Sequence, residues 1–568
     1  MTLPTAPLTT RRGALAAAVA ALAWRPAFAA FAADDAGAPR VEALHVLNRL
    51  AFGPAPGDLD RVTRMGASAW IAEQLHPERL DLPSWLAGQL AGLHTPNETQ
   101  RELVQQYREM AREAKESKQA RQAETAFPDR SKPQAEEGGE RRKQIAAVYV
   151  EAGEARILQA LSSPRQLQEV LVDFWFNHFN VFQGKGLDRV LVESYERQAI
   201  RPNVLGRFRT MLGATARHPA MLFYLDNWLS VAPGHQPRRG FAGAGAAAKA
   251  GGLNENYARE VMELHTLGVD GGYTQQDVTE LARILTGWTM LPQQPQRRRL
   301  VEDVDAMAAG NGDSIFGFDP GRHDNGAKTW LGHGIASGGQ AEGEFALDAL
   351  ARHPATARHI AFKLARRFVA DAPSPALVDR LARRFLDTDG DLRAVMQSLV
   401  DAPEFRDPRP VKFKTPYQYV LSAVRASGIV TTNVKPLMVV LTQLGQPLYG
   451  CQTPDGYRDT EADWLNPNAI TQRVNFATAL ASGKLPLQRV DDPAAPPSPG
   501  GMKALERQTD RAMTRDQPVE GSTPPVGAAA LLATLGPAIS DRTRAAVESS
   551  QPALQAALVL GSPDFMRR

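Results

Sequence analysis

The sequence predicts a mainly α protein, a multi-helix globular fold with long irregular loops and little β. Three observations carry that expectation. Apolar residues recur three and four apart over 41–50 and 68–75, with a Phe52-Gly53-Pro54 break between them, the spacing of helices with one buried face. Runs that alternate with period two are scarce. The strands that a parallel α/β sheet needs between its helices are missing.

The elements follow in order. Residues 1–32 read as a twin-arginine export signal: Arg11-Arg12, an uncharged Ala/Leu-rich run over 13–24, then small-x-small sites at Ala27-Phe28-Ala29 and Ala30-Phe31-Ala32. The run falls short of the ~20 residues that span a bilayer. Cleavage and release, to the periplasm or the medium, is therefore expected, with no integral membrane span afterwards. A main helical domain is expected over 40–480. Within it lie a charged insertion at 102–143, whose first part suits an exposed helix and whose 127–142 part suits a mobile segment, and a flexible Gly/Ala-rich loop at 231–252. A Pro-rich linker at 490–526 leads to a C-terminal helical segment, 527–568, expected to pack on the main domain.

Composition narrows the function classes. Hydrophobic residues make up 43% and charged residues 22%, as in soluble globular proteins. The 65 basic and 62 acidic side chains nearly cancel, which leaves no basic footprint for nucleic acid. The single cysteine, Cys451, excludes an intramolecular disulfide and a c-type haem.

Residues 172–182 hold the first candidate site. Five aromatics in the nine residues 174–182 leave a helix there with almost no solvated face. On it Asp173, Asn177 and Asn180 follow at i, i+4 and i+7 and form one polar ridge. Burying the ridge unpaired would cost on the order of a few kcal/mol per group. It must meet a second polar surface, ordered water or a ligand, and both a structural network and a site remain open. His178 is rotated about 100° from the ridge on an ideal helix.

The second candidate is the stretch 253–268. Asn254 suits an N-cap, Glu255 the first turn and Gly268 the stop. Projection gathers Asn256, Arg259, Glu260 and Glu263 on one side, while His265 falls on the apolar side with Ala258, Val261 and Met262. Glu263 and His265 are too close in sequence to share an ion on one helix, unlike the i, i+4 pair of HExxH proteases. An Arg259–Glu263 ion pair on a solvated face is the plain alternative. Residues 272–289 bring a capping-box start at Thr274 and Asp277 and Trp288, a candidate pocket wall. His323 and Asp324 stand together in a polar loop, a further candidate for ligand contact. In the long loop 445–467, Asp455, Asp459, Glu461 and Asp463 could supply hard oxygen ligands to a divalent ion, though the spacing is not that of an EF-hand.

These segments carry a resemblance. The stretches 45–53, 173–182, 253–268, 272–288, 445–475 and 560–565 are similar to those of the bacterial domain of unknown function 1800 family. The resemblance implies export, often through a twin-arginine signal, and a partner encoded nearby: an exported protein with a sulfatase/phosphatase-like fold. It implies no activity, cofactor or catalytic residue. Two readings stay open. One is an enzyme whose pocket lies between the Asp173 helix and the Asn256 helix, closed by the Asp455 loop, with Glu260 and Glu263 as acid/base pair or metal ligands and His178 or His323 assisting. The other is a binding or scaffolding partner of another exported protein. No GxSxG, P-loop or dinucleotide motif narrows the reaction.

Overall fold

The structure is a computed structural model that describes residues 37–124, 137–235, 252–291, 314–409, 411–489, 507, 509 and 520–568. The export segment, most of the 231–252 loop and nearly all of 490–519 lie outside the described residues. The architecture is mainly α. Among the described residues the strands are two short antiparallel pairs, Trp288–Met290 with Phe316–Phe318 and Lys328–Trp330 with His333–Ile335.

One apolar core runs through the helices, with Trp175, Trp288, Trp330, Tyr195, Tyr257 and Tyr419 almost wholly inside it. The Asp173 helix, Gln166–His178, lies in this core as its aromatics require: Phe174, Trp175, Phe176 and the following Phe179 are all buried. The C-terminal helix Pro552–Leu560 packs on Pro467–Ala481, and Tyr419 Oη donates to the carbonyls of both Arg473 and Leu560. The chain's last residues pair with the segment before Thr415 through Lys412 and Lys414 backbone bonds to Arg568 and Met566. The charged insertion is more helical than its composition suggests: Gln100–Glu124 and Glu137–Ser162 are long helices, the second beginning inside the stretch expected to be mobile.

Capping fixes where the site-bearing helices start. Thr274 and Asp277 form the expected capping box, and His353 caps its helix through a side-chain bond from Ala355 N. Asn254 starts the helix Glu255–Glu263 by accepting from Tyr257 N at 3.0 Å, and its Nδ2 donates to Leu225 O at 2.6 Å. This helix stops at Glu263, one turn earlier than the pattern 253–268 suggests. Thr266 Oγ1 donates to Val261 O and Leu267 N to Met262 O, so the chain turns in and ends on Gly268 at φ 84°. Replacing Asn254 by Ala removes both side-chain bonds; we expect a loss of about 1–2 kcal/mol in urea unfolding.

Candidate functional site

The Asp173 ridge is satisfied from within. Asp173 takes Arg156 at 2.9 Å on one oxygen and Arg367 at 2.8 Å on the other. Arg156 also reaches Glu196 at 3.2 Å, and Glu196 accepts from Arg201 and from Tyr449 Oη. Glu196 comes from Tyr195–Ile200, a π-helical turn. Asn177 and Asn180 hold the 445–459 loop by its backbone. Asn177 accepts from Tyr457 N at 2.7 Å and donates to Tyr457 O at 2.8 Å, while Asn180 donates to the carbonyls of Cys451 and Thr453. The fit is close at Gly456, φ 73°, where a Cβ would stand 2.2 Å from Asn177 O. Between ridge and loop lies a cavity of about 30 Å³, lined by Arg156, Asp173, Asn180, Gln446, Tyr449 and Tyr457, room for only about one or two waters. The ridge is a clamp.

His178 faces away from that clamp, towards two other imidazoles. Its ring lies 6.3 Å from that of His265 and 6.1 Å from that of His359. His178 Nε2 donates to His265 O at 3.1 Å, which sets its tautomer. Burial holds His178 well below the usual range and brings His265 down to about 3 and His359 to about 4, with the Lys363 charge adding to each. All three are neutral, and the facing nitrogens His178 Nδ1, His265 Nε2 and His359 Nε2 have no hydrogen-bond partner among the described residues.

The helix face of Glu255–Glu263 is divided as projected: Tyr257, Ala258, Val261 and Met262 are buried, while Asn256, Arg259, Glu260 and Glu263 reach solvent. The expected Arg259–Glu263 pair is not made, because Arg259 turns to Gln275 at 2.7 Å and Glu263 accepts from Tyr273 Oη at 2.9 Å. Glu260 is different. No hydrogen bond holds its half-buried carboxyl among the described residues, and burial, then the charges of Glu263 and Asp455, push it up to about 7. Asp455, brought here by the clamped loop, also faces Lys363 of the helix Pro354–Phe368. Lys363 is packed in on most sides yet still reaches solvent. Burial lowers its amine to about 8 against the pull of Asp455, with Arg366 and Arg458 adding to the push.

The other candidates go elsewhere. His323 is buried between Thr286 O and Glu342, whose second oxygen pairs with Lys328 at 2.7 Å, and Asp324 pairs with Arg283. Trp288 is core. The four loop acids separate: Asp455 to Arg458 at 3.2 Å, Asp459 towards Arg367 at 3.7 Å, Glu461 to Arg567 at 2.6 Å, and Asp463 to Thr460. Among the described residues, no three His, Cys, Asp or Glu side chains are placed to share one ion. A wider surface depression of about 410 Å³ lies by Arg380, Arg384, Gln397 and Asp401 and contains none of the candidates. Sequence reasoning missed Lys363, His359 and Tyr273. Lys363 follows His359 by one helical turn, but that spacing alone gives no signal.

The fold and site define a helical protein with a half-buried carboxylate pair, Glu260 and Glu263, on one helix face, to which a clamped loop brings the charge of Asp455. A family model described as "Protein of unknown function (DUF1800)" matches residues 45–567, and the chain belongs to that family. No curated protein and no solved structure matches it. No described helix is long and apolar enough to cross a membrane.

The raised Glu260 has a consequence for stability. A carboxyl that titrates near 7 when folded and near 4.5 when unfolded binds its proton more tightly in the native state, so its contribution to stability falls as pH rises between those values. Glu260→Gln is therefore expected to match the wild type at pH 4. Above pH 7 it should exceed it by about 1–2 kcal/mol, a figure already discounted for solvent screening of a half-exposed group. Urea unfolding across that pH range measures the difference.

Proposed function

We propose that the chain is an exported protein that binds a small polar ligand at the half-buried acidic face of the Glu255–Glu263 helix, where the Asp455 loop adds its charge, and moves a proton on it. Glu260 is the proton-carrying group. One observation carries this reading: Glu260 stands without a hydrogen bond beside Glu263 and Asp455, an arrangement that costs stability and that function accounts for. A carboxyl near 7 can both give and take a proton at neutral pH. The scaffolding reading draws on the ridge, whose polar groups pair inside the protein; it leaves Glu260 unexplained.

A thermal-shift screen of small amines, alcohols, sugars and carbonyl compounds tests the site. At least one compound is expected to raise the melting temperature of the wild type and not of Glu260→Gln. A screen in which no compound distinguishes the two proteins overturns the ligand reading. Export is supported by Arg11-Arg12 and the apolar run behind it. Replacing both arginines by Lys is expected to retain the protein in the cytoplasm, whereas the exported wild type should begin after Ala29 or Ala32 on N-terminal sequencing.

A further inference from the structure

Lys328, Glu342 and His323 form a closed cluster apart from the Glu260 face. The strand Lys328–Trp330 supplies the lysine, the first turn of the helix Gln340–Arg352 the glutamate, and the loop before the strand the histidine. All three side chains are at most 1% exposed, and Lys328 Nζ lies 2.7 Å from Glu342 Oε2. By contrast, Lys412 and Lys185 meet acids that are open to water, Asp371 and Asp226. Hydrogen bonds orient each group of the cluster. Lys328 Nζ donates to the carbonyls of Asp324 and Gly326, which leaves one position on nitrogen for the carboxyl group. Glu342 Oε1 accepts from Gly338 N at 2.8 Å and lies 3.1 Å from His323 Nε2. His323 Nδ1 is 2.9 Å from Thr286 O. A carbonyl only accepts, so Nδ1 carries a proton, and the contact between Nε2 and Oε1 requires a second one. Donors therefore converge on both oxygens of one enclosed carboxylate. They draw electron density from its carbon, and an amine stands beside it.

We infer that Lys328 and Glu342 condense to an isopeptide bond, a covalent cross-link between the strand and the helix. One ammonium proton passes to Oε2 across the 2.7 Å contact and leaves an amine whose lone pair faces the carboxyl group. That pair attacks Cδ, and the C=O π pair moves onto Oε1, where the Gly338 amide and protonated His323 meet the developing charge. Nitrogen gives a second proton to Oε2, the Cδ–Oε2 bond breaks, and the C=O bond to Oε1 re-forms. Oε2 departs as water, Nζ keeps one proton, and nothing is oxidised or reduced. His323 ends as it began. Burial favours the product, because an amide carries no charge whereas an enclosed ion pair bears the desolvation cost of two. The Phe318 ring, 5.3 Å from that of His323, and the buried Trp330 of the same strand shield the bond from bulk water.

Peptide mass spectrometry of the full chain tests the bond. Purified protein is denatured, digested with trypsin and mapped. An acylated Lys328 is no longer a tryptic site, so residues 323–352 are expected as one looped peptide, lighter than their sequence by one water. Tandem spectra should contain no fragments from backbone breaks between Lys328 and Glu342. Recovery of 323–328 and 329–352 as separate peptides at full mass overturns the bond. Lys328→Arg keeps the cation but cannot condense in this way, and it should return the full mass. A variant still lighter by one water would place the loss elsewhere and overturn the assignment to Lys328. His323→Leu tests the proton donor. In cell-free synthesis sampled over time, its cross-linking is expected to be at least ~10-fold slower than that of the wild type. An equal rate in a variant with an unchanged melting temperature removes His323 from the step. The wild-type map needs no variant to fold, and none of these readouts depends on Glu260.

Discussion

The buried pairing of Asp173 with Arg156 and Arg367 is the interaction on which the rest of the arrangement depends. Its three members come from three helices, Glu137–Ser162, Gln166–His178 and Pro354–Phe368. Arg156 continues to Glu196 and Arg367 to Asp459, and Arg568 Nη2 donates to the Arg367 carbonyl. The cluster thus gathers two core helices, the lysine-bearing helix, the acidic loop and the chain's final residue around one carboxylate. Taking charges out of water costs several kcal/mol per ion, and partners in good geometry recover that cost only when all are present. The arrangement is therefore cooperative: none of these segments can shift alone without stranding a charge in the interior.

That rigidity has a use a few ångströms further on. Asn177 and Asn180 fasten the loop at Tyr457, Cys451 and Thr453, so Asp455 is delivered to a fixed place. Lys363 follows from the same cluster, since it lies one helical turn before Arg367 on the same face. The satisfied network and the unsatisfied side chains near it are two sides of one arrangement. Side chains whose own environment is unfavourable, Glu260 against Glu263 and Asp455, Lys363 against its imidazoles, stay where they are because neighbours hold the backbone. Preorganised sites elsewhere in proteins are built on the same division.

The helical class was legible because amphipathic spacing reports which face is buried, and the Glu255–Glu263 face was divided correctly from projection alone. The aromatic density of 174–182 also reported burial. What projection cannot supply is the partner. The ridge of Asp173, Asn177 and Asn180 was visible as a set of groups needing partners, but Arg156 and Arg367 lie in helices whose sequences give no sign of them. The helix length after Glu263 was misread because Leu264 and Leu267 continue an apolar pattern while Thr266 Oγ1 and the Leu267 amide bond backward and turn the chain. Lys363 was illegible for a deeper reason. A lysine in an amphipathic helix reads as a solvated one, and only the tertiary placement of three histidines and two arginines removes its partners.

The loop clamp has an evolutionary consequence. The bonds from Asn177, Asn180 and Tyr224 to residues 451–457 all end on loop backbone: the carbonyls of Cys451, Thr453 and Tyr457, the Tyr457 amide, and the Gln452 carbonyl that accepts from Tyr224 Oη. The side chains of Gln452 and Thr453, both exposed, are not needed to keep the loop in position. Substitution at either position is thus expected to leave in place the backbone that presents Asp455. The position of these seven residues is carried by their backbone atoms.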